Sequence, residues 1–106
     1  QALIVQSGRF IAIEAIEGTD AMIKRASRMI NPDSSPAIFI KMAKMYQSLE
    51  QDLPVFGLNT IKMLQASNIK FACLHAQNCK LSDPLYQVES AAMQAGISLY
   101  AVDYDS

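Results

Sequence analysis

Phe10-Ile11-Ala12-Ile13-Glu14-Ala15-Ile16-Glu17-Gly18-Thr19-Asp20 carries an apolar strand into an amphipathic helix through a glycine turn. Residues 10–16 are rich in Ile and Phe, as strands are. From Thr19 the period changes. Met22, Ile23, Ala26, Met29 and Ile30 recur at spacings of three and four, while Lys24, Arg25 and Arg28 take the other face, which is the pattern of a half-buried helix. A strand handing over to a helix is the building unit of α/β domains. Three carboxylates, Glu14, Glu17 and Asp20, surround Gly18 at that junction, and such a connection is where ligands bind.

Working outward, residues 2–6 form a second β-rich run, joined to 10–16 by Ser7-Gly8-Arg9, a three-residue connection with glycine that predicts a hairpin at an antiparallel edge. Asn31-Pro32-Asp33-Ser34-Ser35-Pro36 ends the helix. Residues 37–42 are apolar except for Lys41, which predicts a central strand buried on both faces. Residues 43–58 show no clean period and contain Pro54 and Gly57, so they read as a long functional loop before a helix at 59–67. A strand is expected at 69–74. Asp83-Pro84 then supplies an N-cap and a first-turn proline for a helix whose stripe is Leu85, Val88, Ala92 and Ala95, and Gly96 stops it. With a last strand at 97–102 the order is β-β-α-β-α-β-α-β, an α/β layered domain.

At 106 residues, 51% of them hydrophobic and 18% charged, the chain is one domain with enough apolar side chains for a core. Its net charge of −1 and lack of a basic run exclude tracking of a nucleic-acid backbone. Apolar stretches such as 10–13 and 37–40 fall far short of the roughly 18 residues that a spanning helix needs. No cationic segment precedes a signal-like apolar run at the N-terminus. Two cysteines and six methionines suit a reducing cytoplasm.

The chemistry concentrates in two places. Glu17 and Asp20 lie at one strand end; Lys41, Lys44, Gln47 and Asp52 follow another. Acids and cations so arranged suit a metal and a phosphate: Mg²⁺ takes one or two carboxylates plus the substrate's own phosphates, and lysines neutralise phosphoryl oxygens. Each residue also has a structural reading. Acids in a helix's first turn complement its dipole, Glu14 sits where alternate strand residues face solvent, Asp52 before Leu53-Pro54 suits a turn, and either lysine suits a salt bridge with Glu17 or Asp20. Lys41 interrupts an apolar strand, and since lysine is rarely buried alone its ammonium is expected to emerge at the strand end facing the site. Cys73, His75 and Cys79 lack the H-x-E and P-C-x-x-C pair of zinc deaminases, and Cys73 on an apolar strand reads as a small core residue.

These two segments resemble the C-terminal domain of the LpxI family, the UDP-2,3-diacylglucosamine pyrophosphatases of lipid A synthesis, whose pattern runs E-A-I-E-G-T-D and then K-x-x-K-P-x-Q-D-x-R-x-D-x-P-x-x-G. The first block matches throughout. In the second, Lys41, Lys44, Gln47, Asp52, Pro54 and Gly57 match, while Met45, Ser48 and Glu50 stand where the family has proline, an acid and an arginine. The resemblance covers nearly all of this chain but about half of a family member, the N-terminal domain being absent, and an opening Gln1 fits an excised piece.

What the resemblance implies is specific. The fold is expected to be a three-layer α/β/α sandwich with a mixed sheet, similar in topology to cytidine deaminases. The activity would be metal-assisted hydrolysis of UDP-2,3-diacylglucosamine to UMP and 2,3-diacylglucosamine 1-phosphate. Asp52, Lys41 and Lys44 would be catalytic, Gly18, Thr19 and Gln47 would bind substrate, and Glu17, Asp20 and Asp52 would hold Mg²⁺ or another divalent cation. The implied partners are the missing N-terminal domain, the inner membrane through the lipid substrate, and a second copy in a homodimer. Glutamate at position 50 repels the anion that arginine would grip, so a non-catalytic phosphosugar-binding or oligomerisation domain is the alternative.

Overall fold

The computed structural model describes residues 2–42, 55–75 and 79–102. In chain order it contains β1 (Ala2–Gln6), β2 (Arg9–Ile13), α1 (Thr19–Ala26), β3 (Ile38–Lys41), β4 (Val55–Phe56), α2 (Leu58–Ala66), β5 (Phe71–His75), β6 (Lys80–Leu81), α3 (Leu85–Gln94) and β7 (Ser98–Val102). The expected order is present, with β4 and β6 added as a small parallel pair. The β1–β2 hairpin turns on two residues rather than three, because Arg9 already pairs with Gln6. Ser7 and Gly8 both take positive φ, 54° and 74°, as a turn matched to the right-handed twist of the flanking strands requires.

Five strands form the main sheet in the order β2-β1-β3-β5-β7. β1 is antiparallel to both neighbours, so β2 runs with β3, and β3, β5 and β7 are parallel. The connections β2-α1-β3, β3-α2-β5 and β5-α3-β7 therefore all step across the sheet in the same sense. Right-handed crossovers taken in one sense lay their helices on one face, and α1 packs on α2 and α2 on α3. The expected three-layer sandwich needs a second helical layer on the other face of the sheet. The described residues place all three helices on one face of a mixed five-stranded sheet.

The register sorts the strand residues. Ala12, Ile4, Phe39, Ala72 and Leu99 form a row facing the helices. They meet Met22, Ile23 and Ala26 of α1, Ile61 and Leu64 of α2, and Val88 and Ala92 of α3 in one core, each helix offering the three- and four-residue spacing that its stripe requires. Phe56 of β4 reaches this core beside Phe39, ring centroids 6.1 Å apart. The opposite face carries the rows Ile13-Leu3-Ile40-Cys73-Tyr100 and Phe10-Val5-Ile38-Phe71-Ser98. β3 is central as expected but buried on the helix side only, Ile38 being exposed.

Two local expectations are corrected. The first helix ends at Ala26, where the Ser27 hydroxyl donates to the Lys24 carbonyl and the Met29 amide to Ala26; Met29 is exposed. Asp83 does not cap α3, whose N-cap is Pro84. It caps α2 instead, accepting from the Leu58 amide at 3.1 Å. No helix of the described residues is long and apolar enough to cross a membrane.

Buried Gln6 fixes the entry to β3. Its amide donates to the Asn31 and Ser35 carbonyls, both at 2.8 Å, and its oxygen accepts from the Asn31 amide at 3.0 Å. Gln6→Ala leaves those backbone groups without their partner, so it should destabilise the chain by about 2–4 kcal/mol, three modest hydrogen bonds together with the desolvated groups left behind. Urea denaturation with an unchanged m-value is the check.

Candidate functional site

α1 and α2 follow β2 and β3, so both begin at the carboxyl edge of the sheet, each after a glycine: Gly18 for α1 and Gly57 for α2. A glycine has no side chain with which to cap the leading amides, and the first amides of a helix have no carbonyl within it. Both positions have local reasons. Gly18 sits at φ 90°, a conformation that side chains resist. Gly57 is extended, but a Cβ there would lie 1.8 Å from Ser82 Oγ and 2.6 Å from Asp83 Oδ2.

Glu17, Gly18, Thr19, Asp20 and Lys41 line one cleft of about 420 Å³ together with Val55, Gly57, Asn59, Thr60 and Ser82. Lys41 is only 7% exposed. Its Nζ donates to Thr19 Oγ1 at 2.8 Å, and the Thr19 hydroxyl donates in turn to Glu14. A hydroxyl offers the ammonium a dipole, not a countercharge, and an ammonium this enclosed is costly unless an anion meets it. The leading turns of two helices add partial positive charge on the same cleft.

The acids are each engaged. Glu17 pairs with Arg25 at 2.7 Å, and Arg25 also donates to the Ile13 carbonyl at 3.0 Å. The Arg25 hydrogen bond holds the Glu17 carboxyl below its ordinary range. Asp20 Oδ2 accepts from the Asn59 side-chain Nδ2 at 2.7 Å, tying the start of α1 to the start of α2. Lys44, Gln47 and Asp52 lie outside the described residues. Among the described residues no three His, Cys, Asp or Glu gather to hold a metal ion. Burial pushes the thiols of Cys73 and Cys79 up, with Lys41 partly offsetting it at Cys79, as suits packing residues and not thiolate ligands.

Five lining residues were not singled out from the sequence as site residues: Val55, Gly57, Asn59, Thr60 and Ser82. The available signal was Gly57 just ahead of a helical stripe, which marks an N-terminus. Ser82 has none, since it arrives through the pairing of Phe56 with Leu81.

Residues 1–100 match the family described as LpxI C-terminal domain. No curated protein matches the chain.

If the cleft is an anion site, calorimetric titration with inorganic pyrophosphate should show Lys41→Met weakening binding about tenfold or more, the loss expected for a hydrogen bond to a charged group. Thr19→Val should weaken it less, since Lys41 keeps its charge. Asp83 gives a pH test of the α2 cap. Its carboxyl is held below the ordinary 3.8 by the Leu58 amide first and Ser82 second, so its contribution is present above that value and lost as pH falls through the lower folded one. Thermal unfolding of Asp83→Asn and the parent should therefore differ at neutral pH and converge in acid.

Proposed function

This chain belongs to the LpxI C-terminal domain family, and we propose on that footing that it is the phosphate- and metal-holding half of a UDP-2,3-diacylglucosamine pyrophosphatase of lipid A synthesis. The observation that carries the reading is the enclosed Lys41 facing a cleft on which two helix N-termini converge. Pyrophosphate hydrolysis is largely a matter of positioning and charge neutralisation, and this cleft offers both.

In the proposed reaction water adds to one phosphorus of the substrate, the bridging P–O bond breaks, and UMP and 2,3-diacylglucosamine 1-phosphate leave. Lys41 meets the phosphoryl oxygens while Thr19 and Glu14 hold its ammonium in place. The amides that open α1 and α2 bind the same oxygens. Asp20, fixed by Asn59, fits a divalent cation together with Asp52, and Glu17 joins them only by leaving Arg25. When bound, the cation supplies Lewis acidity to the phosphates. Lys44 and Gln47 extend the phosphate contact, and Asp52 ligates the metal or activates water. The N-terminal domain closes the site from the other side, the substrate's acyl chains bring the protein to the inner membrane from the cytoplasm, and the isolated domain is inactive.

Serine at 48 and glutamate at 50, where the family has an acid and an arginine, favour the second reading, a phosphosugar-binding domain without turnover. Full-length protein decides between them. Hydrolysis of UDP-2,3-diacylglucosamine that depends on Mg²⁺ or Mn²⁺ and falls by at least about a hundredfold in Asp52→Ala, with folding unchanged, is the expected result. No hydrolysis by folded protein, with partial recovery in Ser48→Asp with Glu50→Arg, supports the binding domain instead.

A further inference from the structure

Residues 14–18, which join β2 to α1, decide where Thr19 and the leading amides of α1 stand. Packing gives this connection little support. Ala15 and Ile16 are exposed, Ile16 completely, and Gly18 is of the residue type with the freest backbone. The Glu14 amide donates to the Ala2 carbonyl at 2.8 Å, and the Gly18 amide reaches the Ala15 carbonyl at 3.4 Å. Two side chains supply further ties. Arg25, in the last turn of α1, uses Nη2 for both the Ile13 carbonyl at 3.0 Å and Glu17 Oε1 at 2.7 Å. Glu17 Oε1 also accepts from the Ala15 amide at 3.3 Å. The pair thereby joins the end of β2, the turn and the helix.

We infer that Arg25 and Glu17 are positioning residues of the cleft, Glu17 serving as the acceptor through which Arg25 holds the turn and not as a ligand to a cation. The inference rests on the reading of the cleft as a phosphate site. Its effect passes through Thr19, whose hydroxyl receives Lys41 Nζ at 2.8 Å. A displacement of about 1 Å at such a group can cost roughly a hundredfold in rate. An exposed ion pair contributes little to stability, and both Arg25 and Glu17 are exposed, so what this pair contributes is geometry. A carboxylate lining an anion cleft repels the ligand by its charge. Bound to the guanidinium, Glu17 sets the shape of the turn with much of that charge balanced.

The two roles for Glu17 differ in sign when pyrophosphate is titrated calorimetrically without metal. A carboxylate kept for a cation is a like charge beside the anion, so its removal leaves binding as tight or tighter. A positioning carboxylate gives the opposite. Glu17→Ala should weaken pyrophosphate binding about fivefold or more, Arg25→Ala should weaken it as well, and the double variant should bind about as well as the weaker single variant, as partners in one contact do. Glu17→Gln should lose much less than Glu17→Ala, because its carboxamide oxygen still accepts from Arg25 and the Ala15 amide. Urea midpoints should move little, which separates positioning from loss of fold. Three results overturn the inference and leave the reading of the cleft standing: Glu17→Ala binding as tightly as the parent, Glu17→Gln as weak as Glu17→Ala, or losses that multiply in the double variant. A parent that binds no pyrophosphate overturns both. Should Arg25→Ala not fold, the comparison of Glu17→Ala with Glu17→Gln still decides.

Discussion

β2, β3, β5 and β7 run the same way, and each crossover steps across the sheet in the same sense. Because strand–helix–strand crossovers are right-handed, α1, α2 and α3 have a single face on which to lie. The placement of every other feature depends on that constraint. It puts the beginnings of α1 and α2 side by side at the carboxyl edge, where Asn59 can reach Asp20. It also leaves two apolar rows on the far face without a helix over them among the described residues. The cleft and the bare face are two results of one topological choice.

At the carboxyl edge, the chemistry turns on how little countercharge the described residues give Lys41. The carboxylate of Glu14 is linked to it through the Thr19 hydroxyl, while Glu17 is drawn off by Arg25 and Asp20 by Asn59. The acids that sequence reading offers as salt-bridge partners for the lysine are thereby spent on other groups. An enclosed ammonium held by a hydroxyl suits an external anion, and on the proposed reading the leading amides of two helices would hold a phosphate.

Much of this was legible in the sequence because it rests on local period and punctuation. The switch from strand to helix around Gly18, the glycine-bearing hairpin and the stop at Gly96 each depend on neighbours a few residues away, and each appears in the fold. Glu17, Gly18, Thr19, Asp20 and Lys41 do line one cleft. What escaped reading depends on distance along the chain. Asp83 has the local look of a cap for α3, yet it bonds Leu58, 25 residues earlier, because the β4–β6 pair brings Ser82 and Asp83 to the start of α2. Thr19 and Lys41 are 22 residues apart, and no spacing rule joins a hydroxyl to a lysine at that separation. The placing of all three described helices on one face escaped for the same reason, since strand order is a property of pairing and not of any one strand.

Amide chemical shifts during titration with pyrophosphate test most directly whether the cleft is an anion site built from two helix N-termini. The amides of Thr19, Asp20, Asn59 and Thr60 should move together and saturate together, and those lining the larger cavity at the opposite edge, among them Asn31, Ser35 and Asn68, should stay in place. Shifts confined to that opposite cavity, or none at the starts of α1 and α2, would contradict the account.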